Sequence, residues 1–145
     1  MKKLLYILLS LMTLSLVSCE REDDVNDIFN GKKWYIKDFV ANGNKATNED
    51  MKPLYYSGSD CYVITFTGNS FMATMSKGAT ITGTWNANGK KQTLSLWVNN
   101  AQGVSSTLDN TLVEIIKNVS SYEGDANILT IKKDNGNLIR LSVER

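Results

Sequence analysis

Fifteen carboxylates give this 145-residue chain its first candidate chemistry, and three pairs of them lie close in sequence: Glu49 with Asp50, Asp109 with Glu114, and Glu123 with Asp125. In such a pair one carboxyl can donate a proton while the other acts as base or nucleophile, as in glycoside hydrolysis, and their separation in space decides whether it works. With 15 acids in a chain of this length, chance pairs are expected too. The chain has no histidine, which removes the usual partner of a serine or cysteine nucleophile and the Cys/His sets that hold most zinc ions. Asp134-Asn135-Gly136-Asn137 offers the oxygens of a calcium loop but lacks the later bidentate acid, and a hairpin turn explains it better. No catalytic residue, metal ligand or cofactor is therefore assigned. The chain is expected not to be an enzyme, and a small hydrolase is the least favoured reading.

Binding chemistry has better material in the aromatic residues Trp34, Tyr35, Tyr55, Tyr56, Tyr62, Trp85, Trp97 and Tyr122. Most of these are expected in the core, because a small β domain without disulfides needs large side chains to bury area. Trp97 is the exception. If Leu94, Leu96 and Val98 face inward, alternation places Trp97 outward with Ser95, where a large ring is exposed unless something covers it. Amides follow at Asn99, Asn100 and Gln102, in a stretch to Gly103 that reads as a loop. Trp97, Asn99, Asn100 and Gln102 are predicted to form a recognition patch for a glycan or peptide. The alternative is that Trp97 lies under the helix that begins near Leu108.

The chain also carries an address. Lys2 and Lys3 precede an apolar stretch from Leu4 to Leu16, too short to span a bilayer, with the order of a secretory signal. Its end, Leu16-Val17-Ser18-Cys19, resembles the lipobox of bacterial lipoproteins, in which the cysteine sulfur receives a diacylglycerol. Residues 1–18 are thus expected to be removed, with Cys19 lipidated as the new first residue and 19–27 forming an acidic tether. An acidic cluster after the lipidated cysteine resembles the surface-export signal of Bacteroidota lipoproteins, here interrupted by Arg21. The expected location is the cell envelope, on the outer membrane, facing either the surface or the periplasm. Loss of Lys2 and Lys3 turns an excess of one base into an excess of one acid. With no clustered positive face, nucleic acid is not an expected partner. Cys61 is then the last thiol, so no internal disulfide can form.

Residues 28–145 read as one mainly β domain. Strands are predicted over Lys33–Ala41, Cys61–Thr67, Phe71–Met75, Thr80–Asn86, Gln92–Val98, Ile128–Lys133 and Leu138–Glu144, with turns at Gly68-Asn69 and Asp134–Asn137. A helical turn near Thr47–Lys52 is expected to stop at Pro53. Leu108, Leu112, Ile115, Ile116 and Val119 share one face of what should be the one substantial helix, capped by Thr107 or Asp109.

The run from Leu112 to Leu141, with Trp34 and Gly83-Thr84-Trp85 before an Asn-Gly turn, resembles META-like and lipocalin-like lipoproteins of Bacteroidota. The resemblance implies a small antiparallel β-barrel of seven to eight strands with one amphipathic helix, in families presumed to bind ligands or maintain the envelope. Gly31-Lys32-Lys33-Trp34 departs from the Gly-x-Trp of true lipocalins by one residue. The resulting expectation is a monomeric, membrane-anchored, non-catalytic binder of a small apolar ligand or glycan. An envelope accessory or inhibitor protein acting through a protein–protein surface is the alternative. A hollow barrel would favour the first and a filled one the second.

Overall fold

The computed structural model describes residues 23–58 and 60–145; the signal segment and Cys19 lie outside them. Among the described residues nine antiparallel strands form one sheet: β1 (Lys33–Ala41), β2 (Asn44–Lys45), β3 (Val63–Thr67), β4 (Ser70–Thr74), β5 (Thr80–Asn88), β6 (Thr93–Gln102), β7 (Ser121–Gly124), β8 (Ile128–Lys132) and β9 (Leu138–Ser142). β9 pairs back onto β1, so eight strands close a barrel and β2 stands outside the ring. Closure removes the sheet edges, as eight strands allow, and leaves an interior that side chains can just fill.

Period-two burial produces that interior. Ile64, Phe66, Phe71, Ala73, Ile81, Leu94, Leu129, Ile131, Ile139 and Leu141 point in and are buried, as the alternation predicts. Val143, next in the alternation after Ile139 and Leu141, is half-buried. The strand prediction misses β7, whose four residues are too few to show a period, and it ends β6 too early. Asn99 to Gln102 continue β6: after a bulge opposite Thr82 and Gly83, the ladder resumes with Asn100, Ala101 and Gln102 paired to Thr82, Ile81 and Thr80. Amide-rich composition reads as a loop, yet the partner strand holds it extended.

Among the described residues three helices finish the domain. α1 (Val25–Phe29) starts at Asp24, whose carboxylate accepts the Asp27 N–H at 3.0 Å. It drives Phe29 into the barrel, 5.1 Å from the rings of Phe66 and Tyr122 and 5.2 Å from Trp85. Just before it, Asp23 accepts bonds from Gln92 (3.0 Å) and the Tyr122 hydroxyl (3.2 Å). Residues 23–27, expected in the tether, are therefore docked on the barrel.

α2 (Asn48–Tyr56) opens with a capping box between Thr47 and Asp50 and runs through Pro53 instead of stopping there. The bond that Pro53 cannot donate would go to the carbonyl of Glu49, an exposed residue, so water can take it. Buried Leu54 and the Tyr55 hydroxyl on the Lys37 carbonyl (3.2 Å) fix the helix beyond the proline. The expectation of a single substantial helix is corrected accordingly. α3 (Thr107–Ile116) buries Leu112, Val113, Ile115 and Ile116. Its N-cap is Ser106, not Thr107 or Asp109, because the Ser106 hydroxyl accepts the Asp109 N–H at 3.0 Å.

Candidate functional site

The interior of the barrel is filled. Trp34, Phe29, Phe66, Tyr122, Met75 and Leu112 are all almost wholly buried inside it, which turns attention to the outside.

On the outer face of β3–β6, direct cross-strand partners line up in rows. One row is Thr65, Met72, Thr82 and Asn100; the next is Thr67, Ser70, Thr84 and Trp97. Thr74, Thr80 and Gln102 lie beyond, and Asn86 pairs with Ser95 on the other side. None of these residues is charged, in a chain that is 21% charged overall. At a strand spacing of about 4.8 Å the rows cross roughly 14 Å of surface. Trp97 is 53% exposed and Met72 47%, so the face is apolar at two points and otherwise carries hydroxyls and amides. A hollow of about 390 Å³ lies on this face beside Met72, lined by Thr67, Met72, Thr84 and Asn99 among others.

The bulge in β6 shapes this face. Thr82 pairs with Asn100 and Gly83 with Val98, so Asn99 is the inserted residue, and it lines the hollow. A bulge increases local twist and re-aims side chains. Of the predicted patch, Trp97, Asn100 and Gln102 thus sit at outward register positions and Asn99 joins them through the bulge. Trp97 does not lie under α3. Met72 was missed; the alternation of Ser70, Met72 and Thr74 would have placed it outward.

The other face of the barrel is charged. Arg140 meets Asp38 at 2.6 Å, with Lys45 at 3.9 Å, and Lys132 pairs with Glu123. Glu123 and Asp125 line a hollow of about 480 Å³, but Lys132 holds the Glu123 carboxyl below its ordinary range, and the N–H groups of Asn127 and Ile128 do the same for Asp125. A general acid needs the opposite shift. Asp50 is lowered by its bonds from Thr47, and Glu49 pairs with Lys52 at 2.9 Å. Asp109 is fully buried, accepting the N–H of Ser76 at 3.3 Å and its hydroxyl, whereas Glu114 is exposed and 3.5 Å from Lys117. Each carboxylate pair is thus committed to caps, turns or ion pairs. In the Asp134–Asn137 turn, the side-chain oxygen of Asn137 accepts the Asn42 N–H at 2.7 Å and that of Asp134 meets Ser120 at 2.5 Å. Among the described residues no cluster of acids and cysteines could hold a metal ion.

A family profile described as "Domain of unknown function (DUF4847)" matches residues 20–142. The chain belongs to the DUF4847 family. The crystal structure, at 1.00 Å resolution, of a DUF4847 family protein from Bacteroides vulgatus ATCC 8482 is similar to this DUF4847 chain, with a TM-score of 0.65 at 22% identity, covering 83% of this chain and 97% of that one. At that identity the likeness is one of fold. No curated protein matches the sequence. The family these comparisons give is DUF4847, and the barrel is what the resemblance to META-like and lipocalin-like lipoproteins led one to expect.

Proposed function

We propose that this DUF4847 protein is a lipid-anchored, monomeric, non-catalytic binding protein of the cell envelope, and that it takes an uncharged glycan on the outer face of β3–β6. The observation that carries the reading is Trp97, half-exposed in a face without charge. An exposed indole offers a flat apolar platform for the C–H face of a sugar ring, and the surrounding threonine hydroxyls and amides can exchange hydrogen bonds with its hydroxyls. A charge-free face also imposes no desolvation cost for ions. The filled barrel argues against a small apolar ligand held inside, and it also favours the second reading, an envelope accessory or inhibitor protein that acts through a protein–protein surface.

Anchoring rests on the Leu16–Cys19 motif, and the acidic cluster that follows Cys19 in the sequence supports the outer membrane as the location. Two measurements test the proposal. Mass spectrometry of the membrane-extracted protein should show a diacylglyceryl group on Cys19, and Cys19→Ser should release the protein from the membrane. Calorimetry against a panel of neutral and acidic polysaccharides should find binding to a neutral one that Trp97→Ala abolishes; equal affinities for wild type and variant would remove the site.

A further inference from the structure

Asp23 is fastened to the turn between β5 and β6. Its N–H donates to the Gly89 carbonyl at 3.4 Å, and its carboxylate accepts from the Gln92 side chain at 3.0 Å and the Tyr122 hydroxyl at 3.2 Å. The fit is close, because a side chain on Gly89 would begin 2.2 Å from the Asp23 carbonyl oxygen. Alternate turns of an antiparallel barrel share an end. The β5–β6 turn therefore lies with the β3–β4 and β7–β8 turns and the start of β1, while the turns after β1, β4 and β8 lie at the other end.

Four residue steps separate Cys19 from Asp23, so the backbone between them reaches at most about 14 Å. The nine residues of β1, tilted as in closed barrels, set a height of about 20–25 Å. A leash shorter than the barrel and fastened at one end cannot bring the opposite end to the surface that holds Cys19. Without the Asp23 contacts and α1 docking, the leash would run to Ile28 and reach about 30 Å, enough to present either end.

We infer that the α1 end of the barrel is a membrane-facing surface, and that its partner is the bilayer carrying the lipid on Cys19. The inference rests on the anchoring reading above and goes beyond it by fixing which way the barrel stands. The rim of this end carries Ile128, at the start of β8; at 64% exposure it is the most exposed large aliphatic side chain among the described residues. Lys32 and Lys91 lie at the same end as Asp24, Asp27 and Asp125, so its charge is mixed and a neutral bilayer suffices. The β3–β6 face with Trp97 then stands on the flank, clear of the lipid, and the α3 hollow formed with Asn42 and Asn135 points away from it.

The test uses the processed, lipidated protein in phosphatidylcholine vesicles containing a lipid with a nitroxide headgroup. Cys61→Ser removes the remaining thiol, and a fluorescent label is attached through Lys91→Cys at the near end or Lys77→Cys at the far end, both exposed positions. Flotation with the vesicles reports anchoring separately. In floated protein the label at position 91 should be quenched several-fold more strongly than the label at 77. Asp23→Ala with Gly89→Val, which removes the acceptor for Gln92 and Tyr122 and fills the space of the Asp23 carbonyl, should bring the two signals close to equal, because the longer leash lets the barrel turn. Equal quenching in the otherwise native chain, or stronger quenching at 77, would overturn the orientation and leave anchoring intact. So would a near-end preference that the Asp23 and Gly89 changes leave untouched. Protein that does not float would overturn the anchoring itself, and the orientation with it.

Discussion

The carbonyl oxygen of Trp97 occupies the space where a side chain on Gly83 would begin, and Phe71 Cε1 would lie only 2.7 Å from such an atom. Gly83 is therefore the reason β6 can press its bulge against β5 and turn Trp97 and Asn99 onto one face. Gly83→Ala must push back either the β6 backbone or Phe71, and should cost about 2–4 kcal/mol. Urea unfolding measures this directly. A midpoint equal to wild type would show that the bulge has slack and that Gly83 does not set the face.

Trp97 itself should contribute little to stability. At 53% exposure it buries far less than Trp85 at 9%. Trp97→Ala is expected to cost under about 1 kcal/mol, against about 3–5 kcal/mol for Trp85→Ala. Similar losses for the two would mean that Trp97 is a packing residue and that the face is not free for a ligand.

Much of this was legible in the chain, for identifiable reasons. Thr80 to Trp85 alternate so regularly that their inward and outward sets follow directly, and Leu112, Ile115 and Ile116 mark the buried stripe of α3 without ambiguity. Trp97 could be placed outward from its own strand alone. The charge-free face could not, because it is assembled from cross-strand partners, such as Thr65 with Met72 and Thr82 with Asn100, whose register no single segment reveals. α1 was hidden for a different reason: five residues with one acid in the first turn carry too little period to read, and what holds them is Phe29 finding Phe66, Trp85 and Tyr122 in the folded barrel.

Asp109 should prove structural. Its carboxylate, fully buried on α3, accepts the backbone N–H and hydroxyl of Ser76 in the β4–β5 turn and so ties helix to barrel. Asp109→Ala leaves the Ser76 N–H without its acceptor and should cost about 2–4 kcal/mol. Asp109→Asn keeps an acceptor oxygen and should lose less. Thermal unfolding of the pair would check the order; an Asp109→Ala protein that melts like wild type would break the account.

Alkaline pH should expose the second polar anchor. Burial, and then the neighbouring Asp23 carboxylate, push the Tyr122 hydroxyl up to about 12 from an ordinary value of 10.0. Because the folded state holds this proton more tightly, the group's contribution is fully present below pH 10, falls as the unfolded chain ionises, and is gone above about 12. A rise from 10.0 to about 12 corresponds to about 2–3 kcal/mol. Tyr62 moves in the same direction, raised by burial first and then by Asp109, and adds to the loss. The urea midpoint of wild type should therefore drop steeply between pH 10 and 12, that of Tyr122→Phe less so, and that of Tyr62→Phe with Tyr122→Phe least. If Tyr122→Phe followed the wild-type curve throughout, the Asp23–Tyr122 bond would not hold in solution, and residues 23–27 would belong to the tether after all.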